Sequence, residues 1–178
     1  YPKQVSTFDF IDIFRPLAYK IAKDKGFWEN AESRNKGEMV MLMITELSEA
    51  VEAHRKNHRF IAIPEILIGL RLEQDSMWNM VFEKHVKNTL QDEIADTVIR
   101  ILDYIQGFKL PLYERDFHKE STGNFAHDTL RINHYILQAF HNESGRDWGL
   151  CRRLITANVF GLCVRWGFPA LKPNSNKL

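Results

Sequence analysis

The stretch KGEMVMLMITELSEAVEAHRKN, Lys36 to Asn57, constrains this chain more than any other. At roughly 100° per residue, an α-helix through it sets Glu46 in the middle of an apolar face made by Met39, Leu42, Met43, Ala50 and Ala53. Glu49 falls one turn on, at the margin of that face. A carboxylate buried among such side chains costs several kcal/mol unless a cation, a pair or hydrogen bonds compensate. The pattern therefore requires something positive opposite Glu46.

A second acidic pair with the same spacing, Glu93 and Asp96, stands in LQDEIADTVIRILDYI. Taken alone, the face that carries Glu93, Asp96 and Arg100 reads as solvated. It lies opposite an apolar stripe of Ile94, Val98, Ile101, Leu102 and Ile105. Glu46 changes that reading, because antiparallel packing of the two helices brings the carboxylates of Glu46, Glu49, Glu93 and Asp96 into a small volume. Such an oxygen-rich pocket suits Mg²⁺, or Mn²⁺ in its place, rather than zinc.

The rest of the chain bounds the answer. Its 178 residues suffice for one packed domain, and its charges nearly balance at a net +1, so composition asks for neither nucleic acid nor an anionic membrane as partner. Apolar runs such as Phe60 to Leu70 stop short of the ~20 residues a bilayer span needs, and the first residues lack the layout of a secretion signal. Cys151 and Cys163 are expected in one helix, roughly 18 Å apart along its axis, too far to bridge. These features predict a cytoplasmic protein in a reducing compartment.

In chain order, Ser6 or Thr7 is expected to cap a helix from about Phe8, with a kink or restart at Pro16 and an end at Gly26. Phe27 and Trp28 then form either a plug on the core or a wall for a flat ligand. After the central helix, RFIAIPEILIGL predicts a short helix or extended strip. A long helical pattern from Glu73 to Gln106 follows, broken between Met80 and Asn88. A shorter helix, LYERDFHKE, leads to a turn at Ser121 to Asn124. A hairpin closes the sequence, with helices over Phe125 to His141 and Trp148 to Trp166. No segment alternates at period two, so the fold class is all-α.

Other constellations are weaker. His54 and His58 have the spacing for a shared metal but no third nitrogen or sulfur ligand nearby. His127, His134 and His141 repeat every seven residues, too far apart to share an ion, and His127-Asp128 lacks the other signals of an HD phosphohydrolase. With no P-loop or Gly-rich dinucleotide motif, any phosphate must be met by metal and by cations. The candidates are Lys36, Arg100 and Lys119, with Arg100 first because it stands one turn from Asp96.

GFWENAESRNKGEMVMLMITELSEAVEAHRK followed by LQDEIADTVIRILDYIQGFKLPL resembles the MazG-like group of all-α nucleoside triphosphate pyrophosphohydrolases, over about Ala22 to Lys119. The resemblance implies a helical bundle of that type at residues 1–123, with Glu46, Glu49, Glu93 and Asp96 as Mg²⁺ ligands. It implies water attack at the α-phosphate of an NTP or dNTP, giving pyrophosphate and the monophosphate. Trp28 would help form the base pocket, and a homodimer or homotetramer is expected. Three features depart from the family pattern. They are an insertion at residues 59–88, a loose match around Lys119, and the extra C-terminal hairpin at residues 124–178, packed on the same domain. A phosphoribosyl-ATP pyrophosphohydrolase and a non-catalytic helical interaction module stand as alternatives.

Overall fold

The computed structural model describes residues 7–30, 34–70, 75–110 and 122–141, and every regular element among them is helical. These are α1 (Thr7–Asp24), α2 (Lys36–Arg55), α3 (Pro64–Gly69), α4 (Asp75–His85), α5 (Leu90–Gly107) and α6 (Phe125–His141). The all-α expectation holds for them. Ser6, Lys119, the LYERDFHKE helix, the second hairpin helix at Trp148 to Trp166 and both cysteines lie outside the described residues. Among the described residues no helix is long and apolar enough to cross a membrane.

Asn35 starts α2 by accepting hydrogen bonds through its side chain from the backbone N–H groups of Gly37 (2.9 Å) and Glu38 (3.3 Å). Those are two of the donors that a helix start leaves without an intrahelical partner. The buried side of α2 consists of Met39, Val40, Met43, Glu46, Leu47, Ala50 and Ala53. Leu42, expected on that face, is 38% exposed. Because both α5 and α6 cover α2, the buried arc is broader than a single stripe and takes in Val40 and Leu47 instead.

The helix at the centre of the packing is α5, which lies against both α1 and α2. Leu90, Ile94, Ile101 and Ile105 enter the main core with Met43, Leu47 and Ala50, while Leu102 packs with Ile11 and Ala18 of α1. Val98 touches both groups. Covered on two sides, α5 also buries Glu93, Thr97 and Asp103. The solvated reading of its charged face is thereby corrected: Glu93 is only 4% exposed.

The α2/α5 pair is antiparallel, as its cross-links show. The backbone N–H of Leu90 donates to the His58 carbonyl (2.9 Å), Glu93 lies beside Glu49, Arg100 pairs with Glu46, and the Lys36 ammonium sits over the Phe108 ring. As the numbers fall along one helix they rise along the other. α6 crosses α2 in the same sense: Phe125 stacks on His54, and Phe140 reaches Gly37 near the opposite end. Pro16 does not interrupt α1.

The excursion from His58 to Thr89 leaves and rejoins the bundle at one point. The Phe60 N–H donates to the Gln91 side chain (2.8 Å) and the Asn88 N–H to the Asp92 carboxylate (2.9 Å). Asn88 adopts φ 59, and Thr89 caps α5, so the break expected between Met80 and Asn88 falls just after α4. Within the excursion α3 packs on α4, and Ile61, Ile68 and Met80 stay at least 60% exposed.

Trp28 closes the far end of the bundle. Its indole N–H donates to Asp103 (2.8 Å), and its ring packs against Tyr19 and Phe108, with the Arg34 guanidinium 4.9 Å above it. Gly107 leaves the space for that ring, since a Cβ there would overlap it. Gly107→Ala is expected to destabilise the protein. The overpacking costs about 1–3 kcal/mol, against a helix-propensity gain of about 1 kcal/mol. A urea midpoint equal to or above wild type would contradict this close approach.

Candidate functional site

Two turns of α2 and two of α5 face each other where their acidic residues fall. One carboxylate oxygen each from Glu46, Glu49 and Glu93 come within 4.8 Å of one another. Glu46 and Glu93 are buried and Glu49 is exposed, so the trio opens to solvent on the Glu49 side. Local sequence explains the placement. Glu46 shares the buried arc of α2 with Met43, Leu47 and Ala50, and Glu93 sits in the first turn of α5 directly after the Thr89 cap.

The cation required opposite Glu46 is Arg100. Its Nε and Nη2 both lie 3.1 Å from Glu46 Oε1. The Glu46 side chain is 12% exposed and that of Arg100 36%, so this pair is far less solvent-screened than an ordinary surface ion pair.

The electrostatics are those of crowded, partly dry carboxylates. Glu93 is raised from an ordinary 4.5 to about 8, first by burial, then by the charge of Glu49, the charge of Asp92 and a hydrogen bond shared with Glu49. Asp96 is raised to about 6 by burial and by Asp92 and Glu46, with Arg100 opposing. Like charges held this close favour keeping a proton among them, and a divalent cation relieves the same repulsion. Three carboxylates with converging oxygens make a donor set that fits a hard cation such as Mg²⁺.

Of the residues singled out in the sequence, Glu46, Glu49 and Glu93 come together and Asp96 lies half-buried beside them, outside the trio. Arg100 joins them through Glu46. Lys36 does not. It is ten residues before Glu46 on α2, roughly 15 Å along the axis, and its ammonium lies over Phe108. Trp28 is 6% exposed within the core cluster, whereas Phe27 beside it is 45% exposed. The aromatic pair thus divides between the plug and the surface. Lys119 lies outside the described residues. His54 is stacked on Phe125, and Asp128 accepts from the Thr122 backbone and hydroxyl, a turn-capping role.

Two residues escaped the sequence reading. Asp92 acts electrostatically on both Glu93 and Asp96 while its own carboxylate holds the Asn88 N–H. Asp103 is buried, raised by that burial, and bonded to Trp28. Helical spacing carried the signal for both, since Asp92 is four before Asp96 and Asp103 three after Arg100.

No protein-family model, no curated protein and no solved structure matches this chain.

The raised carboxyls give the metal-free protein a pH-dependent stability. A proton held more tightly in the folded chain than in the unfolded one stabilises the folded state fully below the ordinary value, 4.5 for Glu93 and 3.8 for Asp96. That contribution is lost as pH climbs toward about 8 for Glu93 and about 6 for Asp96. Thermal midpoints in EDTA should fall across this window, and Glu93→Gln should flatten the fall. An unchanged slope in the variant would separate Glu93 from the effect.

Proposed function

We propose that this protein is a divalent-cation-dependent nucleotide pyrophosphohydrolase of the MazG-like type. It would cleave an NTP or dNTP between its α- and β-phosphates to the monophosphate and pyrophosphate. The observation that carries the reading is the convergence of Glu46, Glu49 and Glu93 from two helices, with Asp96 alongside, in a site open on the Glu49 side. An exposed acidic patch alone would mean little. Here two of the three carboxylates are buried; Arg100 compensates Glu46, whereas Glu93 feels the like charges of Glu49, Asp92 and Glu46, a repulsion that a cation would relieve.

Glu46, Glu49, Glu93 and Asp96 would hold the cation. Bound there, Mg²⁺ would offset the triphosphate charge and polarise the scissile phosphoryl group. The chain's own tasks are then to position and to manage charge. Helix packing fixes the backbones of Glu46 and Glu93, so their carboxylates would approach a bound ion from two set positions. As a ligand Glu93 would give up its proton, since only the carboxylate coordinates. Glu49, the exposed member, lies where substrate can approach. The all-α bundle type and a homo-oligomeric state belong to the same proposal.

A second reading, a helical interaction module, is favoured by one observation: the exposed apolar side chains Ile61, Ile68 and Met80 on the excursion.

Pyrophosphate release measured over a panel of NTPs and dNTPs tests the choice. Turnover should require Mg²⁺ or Mn²⁺, vanish in EDTA, and fall roughly 100-fold in Glu46→Gln, the scale on which coordination-shell changes act. Activity indifferent to chelation would overturn the cation mechanism. A folded protein with no turnover on any nucleotide would favour the module.

A further inference from the structure

Arg100 was expected from the sequence to meet phosphate. Its geometry describes another task. Both Nε and Nη2 converge on a single oxygen, Glu46 Oε1, at 3.1 Å, rather than spanning the two carboxylate oxygens as a fork-to-fork pair does. Neither of these contacts is to Glu46 Oε2. Along α5, Arg100 is four residues after Asp96 and three before Asp103, and its charge opposes the rise that burial gives both carboxyls. The guanidinium is therefore set among acids, on the α5 side of Glu46.

A free Glu46 side chain would be pushed away from Glu49 and Glu93 by like charge, and its three side-chain torsions would allow it to turn away. A fixed cation on one oxygen opposes that movement. We infer that Arg100 is a positioning residue: by gripping Glu46 through Oε1 it presents Oε2 to the opening shared with Glu49 and Glu93, where a divalent cation binds. The inference rests on the metal reading proposed above. It assigns Arg100 to the carboxylate cluster instead of to the substrate. Partners that orient a coordinating group commonly affect metal affinity by about 10- to 100-fold.

The test is Mn²⁺ binding to the metal-free 178-residue chain without nucleotide, followed by electron paramagnetic resonance, with circular dichroism melts to establish folding. Wild type should bind, and Glu46→Gln should bind more weakly. Arg100→Gln should lose about tenfold or more in affinity. Arg100→Lys keeps the charge but not the planar pair of donors, so it should stay weaker than wild type. Should Arg100→Gln fail to fold, Arg100→Lys carries the comparison. Wild-type affinity in folded Arg100→Gln, or full recovery in Arg100→Lys, overturns the orienting role. Tighter binding without Arg100 also overturns it, since the guanidinium would then be a competitor of the cation. A wild type that binds no Mn²⁺ overturns the metal reading itself, and the Arg100 assignment with it.

Discussion

A carboxylate placed among methionine, leucine and alanine side chains dictates much of what surrounds it. Glu46 needs charge compensation on the side where α2 meets another helix, and α5 supplies it through Arg100. The pair is a long-range tie, joining helices that are far apart in sequence, and it fixes their register. A slide of α5 by one turn, about 5.4 Å, would bring Asp96 or Asp103 toward Glu46 in place of Arg100, setting acid against acid and leaving Arg100 without its partner. The packing of Ile94 and Leu47 at full burial depends on the same register. Removing one member of a half-dry pair leaves the other uncompensated, which is why such pairs specify an arrangement more strongly than they stabilise it.

The core of this arrangement was legible in the sequence because it follows helical periodicity. The acidic spacings on α2 and α5, the helix starts at Lys36 and Phe125, and the break before Thr89 all rest on local rules of spacing and turn formation. What was not legible depends on which faces a helix has covered. α5 shows one clear apolar stripe, which implies one buried side, yet α1 and α2 enclose it from two. Its second covered side carries Glu93, Thr97 and Asp103, and polar residues give no hydrophobic signal. Leu42 failed for the complementary reason, since an apolar residue can remain exposed once packing has set the rotation of its helix.

Trp28 and Asp103 show how a buried polar group is accommodated without a charge partner in contact. The indole's one donor meets Asp103 Oδ1 at 2.8 Å inside an aromatic cluster of Tyr19, Tyr104 and Phe108. Burial raises the Asp103 carboxyl while the indole N–H and the Arg34 and Arg100 charges hold it down. Asp103 is tied to packing at one end of α5, and Glu93 to the carboxylate trio at the other. A single helix thus carries two buried acids whose different neighbours give them different work.

The excursion between His58 and Thr89 starts and finishes at neighbouring points on the first turns of α5, held by Gln91, Asp92 and the Leu90 amide. Joining the ends of a flexible segment depends only weakly on its length, about 0.6 kcal/mol for each doubling. Residues can accordingly be gained or lost between those two anchors with little effect on the helices beneath. This excursion is therefore a place where evolution, or an engineer, can graft new chain beside the acidic cluster while the register of α2 on α5 is left intact.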